Sequence, residues 1–451
     1  MQRMTAPWVG AALALGALAA PASTDLSTPE RSPLGQELAS TPALADPASP
    51  SEPPLVEPTG VLRLADALAA ALLGNPMLAA RSYEIRAREA LALQAGLRPR
   101  PSLALSLEDV AGSGDFRGVR EAEATIRLGQ LVELGGKRAA RVRAAEAEQQ
   151  LAGWDYESAR VEVLAGTAAA FVAVLAAQER LRLADEALAV ARAVRRAAAH
   201  RVAAGLASPA EEIRAGVGVD EASVEREHAD HELETARTVL AAAWGGTQAR
   251  FERADGDLAD LPEVPPLPEL ERRAAASPEL ARWEAERERR EAELARARSE
   301  RIPDLTIAAG PRYRNGPGDT ALVFDVSVPL PLWNRNQGAI AEAAHRRAQA
   351  EAERRAAEVR VLTELANART ALRAAVEEAQ LLAQQVVPGI ERAAEVLRRG
   401  YEAGRTSQLE VLEAERARLA AHAQQLRAQV EAHRAALETE RLTGTPLEAQ
   451  P

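Results

Sequence analysis

The chain has 451 residues, a formal net charge of −11, and aromatic residues at only 3%. This length suffices for two or three ordinary domains, and the acidic balance argues against nucleic acid as a partner. There is no cysteine, which excludes disulfides and a lipid-modified cysteine at the mature N-terminus.

The N-terminal residues have the pattern of a secretory signal. Arg3 supplies a basic start, an apolar run extends from Trp8 to Ala19, and Ala20-Pro21-Ala22 fits a cleavage site. We therefore predict a signal peptide over residues 1–22, followed by a flexible leader rich in Pro, Ser and Thr over residues 23–60. No later run approaches the roughly 20 apolar residues that a membrane-spanning helix needs.

The remainder of the chain repeats itself. "NPMLAA" resembles "SPELAR" and "RPRPSLAL" resembles "ERIPDLTI", while "AGLASPAEEI" resembles "AGRTSQLEVL". The glycines and prolines keep their spacing, with Gly136 and Gly338 matched at 202 residues apart. We predict a first repeat over residues 61–246, a Pro-rich linker over 247–268, a second repeat over 269–444 and a tail over 445–451.

Each repeat carries two segments in which apolar and polar residues alternate, as in a strand with one apolar face. The predicted strands are Ser102–Glu108, Glu121–Leu134, a segment around Leu305 to Arg312, and one from Leu322 to Leu330. Each is about ten residues long, the length with which a tilted strand crosses a bilayer. Two soluble hairpins packed on helices remain the alternative.

Very long helices follow each pair of strands. They are predicted from Arg138 to about Ala204 and from Ala339 to about Glu402, roughly 100 Å each at 1.5 Å per residue. A globular domain is more compact than this, so the helices must build a rod or a tube. The shorter helices, near Leu62–Leu97 and Pro209–Trp244, would stack end to end beside the long one.

No catalytic constellation is present. "LVELGGKR" and "GVGVDE" each lack residues that a phosphate loop or a dinucleotide fingerprint requires. His228 and His231 lie three apart on a predicted helix and are weak candidates for metal ligands, although two solvated histidines are the simpler interpretation. We predict no enzyme activity and no cofactor.

Three segments carry a resemblance to the TolC family of outer-membrane efflux channels: "QLVELGGKRAARVRAAEAE", "VSVPLPLWNRNQGAIAEAAHRRAQAE" and "YEAGRTSQLEVLEAERARLAA". They are most similar to the cobalt–zinc–cadmium (CzcC-like) branch, whose channels serve resistance–nodulation–division (RND) pumps. The resemblance implies a mainly helical protein with transmembrane strands. Three copies would form one 12-stranded β-barrel in the outer membrane, continuous with an α-helical barrel across the periplasm.

The resemblance also implies roles for individual residues. Gly135, Gly136 and Gly338 would be hinges between strand and helix, and Arg127 and Asp325 would face the barrel lumen. The turns at the periplasmic tip, which suit helix caps, would contact a periplasmic adaptor; their residues are Gly205, Leu206 and Ser208, then Gly404 with Thr406 or Ser407 as the cap. Glu211, Glu410 and Glu413 would form the periplasmic gate.

The predicted function is that of a passive exit duct for heavy-metal cations, working with an adaptor and an inner-membrane RND pump. One alternative is a multidrug or protein-secretion channel of the same fold. The other, from a different class, is a secreted coiled-coil scaffold without a pore.

Overall fold

The computed structural model describes residues 57–403 and 405–446. The predicted signal peptide, most of the predicted leader, Gly404 and the end of the tail lie outside the described residues. Within them, helices dominate. The helices are α1 Leu64–Gly74, α2 Pro76–Ala95, α3 Lys137–Ala203, α4 Pro209–Ala242, α5 Leu267–Ala275, α6 Pro278–Ser299, α7 Gln337–Leu381, α8 Val387–Glu402 and α9 Gln408–Thr443. The strands are β1 Gly60–Arg63, β2 Ser102–Glu108, β3 Glu123–Val132, β4 Phe251–Asp255, β5 Leu305–Arg314 and β6 Asp319–Ser327.

The long helices have the predicted arrangement. Helix α3 packs against α2 and α4 and also against α6 and α9, so it lies between the two pairs. Arg88 of α2 contacts Glu148 near the start of α3, whereas Arg226 of α4 contacts Asp185 further along it. The prediction that two shorter helices stack along one long helix is therefore confirmed in the first repeat. Helices α6 and α9 lie along α7 in the same way.

The second long helix is divided, unlike the first. A π-helical turn at Leu382–Val386 separates α7 from α8, and Pro388 follows at the start of α8. Proline has no backbone N–H for the helical ladder, and a wider turn accommodates this defect. Helix α3 has no internal proline and continues for 67 residues.

A hydrophobic core lies halfway along the helices. Phe171, Val174 and Leu175 of α3 pack with Trp244 and Phe251. The two aromatic rings meet edge to face with centroids 6.3 Å apart. Helix α3 also contains an 18-residue window of mean hydropathy 1.8, apolar enough to cross a membrane, so our expectation that no such run exists was wrong. Because 56% of that window is buried, it serves as core.

A short parallel sheet was not predicted. Strand β1 pairs with β4, which brings the start of the predicted first repeat beside the segment that follows it. The Gln178 side chain completes the outer edge of β4: it accepts from the Ala254 N–H at 2.8 Å and donates to the Ala254 carbonyl at 3.0 Å. Only Gly60 of β1 lies in the segment that we predicted as leader, and residues 61–63 lie at the start of the predicted first repeat, whereas all of β4 lies in the predicted linker.

The main sheet has four antiparallel strands in the order β2-β3-β5-β6. Hairpins join β2 to β3 and β5 to β6, and the pairing of β3 with β5 joins the two repeats. In this joint the Gly310 backbone lies so close to β3 that a Cβ there would fall 1.8 Å from the Ile126 carbonyl oxygen. Only glycine permits this approach.

Candidate functional site

One face of the main sheet is apolar and uncovered. Leu103 pairs with Leu128, Leu128 with Ala309, and Ala309 with Phe324, so these four side chains form one row across all four strands. Leu103, Leu128 and Phe324 are 75%, 60% and 72% exposed. The predicted phase of the strands is thereby confirmed. Strand β6 ends at Ser327, earlier than predicted, because Pro329 and Pro331 follow.

The opposite face is polar, and acidic and basic side chains on it form ion pairs with one another. Glu123 accepts from Arg314 at 2.7 Å and from Arg312 at 3.2 Å, and Arg312 also donates to Thr125 at 3.2 Å. Thr125 is 1% exposed. The two residues predicted to face the lumen lie on this face: Arg127 is opposite Ala104, and Asp325 is opposite Ala308.

The passage from β3 to α3 depends on two left-handed glycines. Gly135 and Gly136 have φ values of +69° and +73°, a region that other residues rarely adopt. A Cβ on Gly135 would fall 2.8 Å from the Ile302 side chain. The predicted hinge positions of the first repeat therefore have the geometry that requires glycine.

Ion pairs fix this junction to the second repeat. Lys137 is 7% exposed, and its Nζ lies 2.8 Å from Asp304 Oδ1 and 3.8 Å from a Glu300 oxygen. Asp304 also accepts from the Leu134 N–H at 3.1 Å. Sequence reasoning missed the role of Lys137 and Asp304, although a single lysine within "LGGKR" was a visible signal.

The hinge prediction for Gly338 is corrected by the structure. Gly338 lies in the first turn of α7, and the left-handed residue before that helix is Asn336, with φ +58°. The Asn336 side chain donates to the Ala297 carbonyl at 2.8 Å. Asparagine tolerates left-handed geometry better than other residues with a side chain, so Asn336 takes the place that Gly136 has in the first repeat.

The far end of the helices carries two tight turns. In the first, Gly205 has φ +71°, the Leu206 N–H donates to the Arg201 carbonyl at 2.8 Å, and Ser208 caps α4 by accepting from the Ala210 N–H at 3.3 Å. Leu206 is 72% exposed. The predicted caps in this turn are confirmed.

In the second turn the cap is Ser407. Its hydroxyl accepts from the Glu410 N–H at 3.3 Å, and Glu410 Oε2 accepts from the Ser407 N–H at 2.6 Å and from its hydroxyl at 2.8 Å. Thr406, the alternative cap, instead donates to the Leu397 carbonyl at 2.9 Å. These bonds lower the pKa of the Glu410 carboxyl, because the Ser407 backbone and side chain both stabilise its charged form.

The three predicted gate residues differ in their surroundings. Glu410 is occupied by its capping box, Glu211 lies 3.8 Å from Arg201, and Glu413 is exposed. Glu410 and Glu413 share a face of α9, whereas Glu211 lies on α4. The single chain therefore brings two of the three together.

A metal centre finds no support in the described residues. His228 and His231 are exposed on α4, and no group of three or more His, Cys, Asp or Glu side chains in the described part of the chain could hold a metal ion. Structural zinc sites generally have four ligands.

Comparisons with known proteins agree with this architecture. The family described as "Outer membrane efflux protein" matches residues 67–246 and 270–445. The cobalt-zinc-cadmium resistance protein CzcC of Cupriavidus metallidurans is 34% identical over 388 residues, covering 86% of this chain and 91% of CzcC. The nickel-cobalt-cadmium resistance protein NccC of Alcaligenes xylosoxydans is 28% identical over 304 residues, covering 66% of this chain and 69% of NccC.

A solved structure of CusC has the same fold, with a TM-score of 0.71 and 15% identity over 85% of this chain and 92% of that one. The two matched segments coincide with the two halves seen in the structure, each with one hairpin and one long helix. Members of this family are channels and not enzymes. The chain belongs to the outer membrane efflux protein family.

Proposed function

We propose that this protein is the passive outer-membrane exit duct of a tripartite efflux system for heavy-metal cations. Three copies would join their sheets into one 12-stranded barrel. Their helices would form a tube across the periplasm, where an adaptor and an inner-membrane RND pump complete the system.

The observation that carries this proposal is the uncovered apolar face of the main sheet. Burying apolar surface is favourable by roughly 25 cal/mol per Å², so a row of exposed leucine and phenylalanine side chains is costly in water. Strands β3 and β5 have 10 residues each, about the length of a tilted membrane strand. Lipid around this face would remove the cost.

The open edges of the sheet support a closed assembly. Strands β2 and β6 each pair on one side only within one copy. Lipid offers no hydrogen bonds to an unpaired edge, so a sheet in the membrane core must close on itself. Four strands are too few to enclose a channel, and further copies supply the remainder.

The helices give the duct its length and its contact surface. The 67 residues of α3 extend about 100 Å at 1.5 Å per residue. At their far end, the turns around Gly205 and Ser407 present the exposed side chains of Leu206 and Leu409, which are 72% and 62% exposed. We assign this tip to the adaptor.

The names of the relatives favour metals as the cargo, because CzcC and NccC are both described as metal resistance proteins. A multidrug or protein-secretion channel is the second candidate, since the fold alone does not separate the cargoes. The apolar face disfavours a soluble coiled-coil scaffold, because soluble proteins rarely expose an apolar surface of this kind to water.

The test is complementation in a Gram-negative host that retains a metal-exporting RND pump and its adaptor but lacks their outer-membrane component. We expect the full chain to restore tolerance to cobalt, zinc and cadmium, and not to a hydrophobic dye. A chain that resists extraction by high salt yet restores only dye tolerance would favour the multidrug candidate. A chain recovered in the soluble fraction would contradict the proposal as a whole.

A further inference from the structure

The joint between the two repeats is visible within one chain, whereas the edges that would join neighbouring copies are open. Strand β3 of the first repeat pairs with β5 of the second. Strand β6 is the second-repeat counterpart of β3, and β2 is the first-repeat counterpart of β5. A second copy can therefore meet β6 with its own β2 in the way that β5 meets β3.

The strand pairing shows which residues of the first hairpin correspond to which residues of the second. Leu105 pairs with Ile126 in the first hairpin, and Ile307 pairs with Val326 in the second. Ile307 follows Leu105 by 202 positions, whereas Val326 follows Ile126 by 200. The same 200-residue spacing separates Gly136 and Asn336, the left-handed residues before α3 and α7.

With these spacings, the register of the internal β3–β5 joint can be applied to the open edges of β6 and β2. In the internal joint Leu128 faces Ala309, and Gln130 faces Ile307. Adding 200 to the β3 position and subtracting 202 from the β5 position turns the first pair into Val328 and Leu107. The second becomes Leu330 and Leu105.

We propose that a second copy of this chain docks its β2 edge on the end of β6 and on the extended segment that follows it, with Val328 of one copy opposite Leu107 of the next. This inference rests on the proposed function, since the copies meet in a closed barrel. All four side chains named for the two new pairs are exposed in the single chain, Val328 at 42%, Leu107 at 60%, Leu330 at 74% and Leu105 at 67%. Pairing in this register places them all on the apolar face.

The prolines after β6 are compatible with such an edge. Pro329 and Pro331 occupy alternate positions, so their missing N–H groups fall on one side of the extended chain. Val328 and Leu330 retain theirs on the other side, which is the side assigned to the partner. β6 separates from β5 after Ser327, and its continuation is free to pair.

The same correspondence identifies one difference between the two kinds of joint. Within a chain, Lys137 pairs with Asp304 at 2.8 Å and Glu300 at 3.8 Å. The counterpart of Lys137 is Gln337, 200 positions later, and those of Asp304 and Glu300 are Ser102 and Arg98, 202 positions earlier. The junction between copies therefore lacks the counterpart of this ion pair, and in this respect it is the weaker of the two kinds of junction.

Disulfide trapping tests the register, and the absence of native cysteine leaves no background. Directly opposed strand residues have Cα atoms about 4.5–5.5 Å apart, within disulfide range, whereas a two-residue slip separates them by about 7–8 Å. We expect the Val328→Cys/Leu107→Cys protein, oxidised in outer membranes, to lose its monomer band and form a covalent trimer on a non-reducing denaturing gel. Each single variant should stay monomeric on that gel.

The matched control is Val328→Cys/Leu105→Cys, which keeps both cysteines on the apolar face but shifts the register by two. Stronger trapping in this control, or none in either protein while both still conduct ions in a bilayer, would overturn the register and leave the proposed function standing. Absence of conductance in the unmodified chain would instead count against the proposed function.

A second measurement addresses the weak junction. Gln337→Lys combined with Ser102→Asp should rebuild the ion pair between copies and raise the temperature at which the detergent-solubilised trimer dissociates. Gln337→Lys alone would face Arg98 of the neighbouring copy and should lower that temperature. The same dissociation temperature in both variants and in the unmodified protein would contradict the proposed correspondence.

Discussion

Lys137 Nζ lies 2.8 Å from Asp304 Oδ1, and this contact joins the first residue of α3 in one repeat to the residue just before β5 in the other. The Lys137 side chain is 8% exposed and that of Asp304 24% exposed. A charge so far removed from water depends on its partner, and loss of one member leaves the other uncompensated.

We therefore expect Lys137→Met to lower the free energy of unfolding by about 2–3 kcal/mol. Asp304→Asn should cost at least as much, because it leaves the more deeply buried Lys137 charge with only Glu300 at 3.8 Å, although the amide oxygen can still accept from the Leu134 N–H at 3.1 Å. The measurement is urea unfolding of the protein in detergent, applied to both single variants and to the double variant. Strict additivity of the two losses would contradict direct coupling.

Much of the fold followed from the sequence because its patterns are long. Alternation over seven or more residues fixed the two faces of the sheet, and the apolar residues of β2 and β6 lie where the phase placed them. Unbroken helical sequence likewise predicted α3. In both cases many residues agree on one period, so individual exceptions do not matter.

The features that were missed depend on few residues or on distant partners. Strands β1 and β4 have four and five residues and lie almost a whole repeat apart, so neither has a recognisable period of its own. The assignment of Gly338 as a hinge failed because matching glycine to glycine ignored a two-residue difference between the hairpins. Cap geometry at Asn336 revealed that difference.

The two faces of β6 give a sharp test of membrane insertion. Val326 is 67% exposed on the apolar face, whereas its neighbour Asp325 lies on the polar face opposite Ala308. Val326→Arg should cost roughly 2–4 kcal/mol if the site is near the bilayer midplane. Asp325→Arg should be tolerated. Folding yield into lipid vesicles compares the two variants, and equal yields would reject the assignment of the faces.

The glycines at the two strand–helix junctions should respond differently to alanine. Gly135 has φ +69°, and an added Cβ would fall 2.8 Å from Ile302, so Gly135→Ala should destabilise the protein by roughly 1–3 kcal/mol. Gly338 is helical with nothing within 4 Å of an added Cβ. Gly338→Ala should therefore be neutral or stabilise by up to about 1 kcal/mol.

Thermal unfolding of the two alanine variants in the same detergent is the comparison. A large loss for Gly338→Ala would restore the hinge interpretation of that residue. An unchanged unfolding temperature for Gly135→Ala would show that the left-handed turn tolerates a side chain.

The last prediction concerns the proposed gate. Because Glu410 takes part in a capping box, a substitution of Glu413 is the cleaner test of the gate. Glu410 holds the Ser407 N–H and hydroxyl at 2.6 and 2.8 Å. Its lowered pKa means that this cap stabilises the start of α9 above the range in which a free glutamate titrates, and that the stabilisation is lost as the pH falls through the lowered pKa. Glu410→Gln would therefore disturb the cap together with any gate.

Glu413 shares the helix face of Glu410 but is exposed and takes no part in the cap. In a trimer three copies of Glu413 would surround one axis, and two such charges about 10 Å apart repel by roughly 1.7 kcal/mol at an effective dielectric of 20. Such a ring attracts cations and allows a divalent cation to bridge it. We expect a cation-selective pore that millimolar or lower divalent cations block from the periplasmic side.

Glu413→Gln should weaken the cation selectivity and raise the half-blocking concentration about tenfold, which corresponds to about 1.4 kcal/mol. Trimer stability should stay the same or improve, because repulsion is removed. The matched control is Glu431→Gln, further along the same helix, where the glutamate is paired with Arg434 at 3.2 Å. Single-channel recording in a planar bilayer measures selectivity and block together. If Glu413→Gln and Glu431→Gln leave both quantities at the unmodified values, Glu413 is an ordinary solvated side chain and the gate lies elsewhere on the tube.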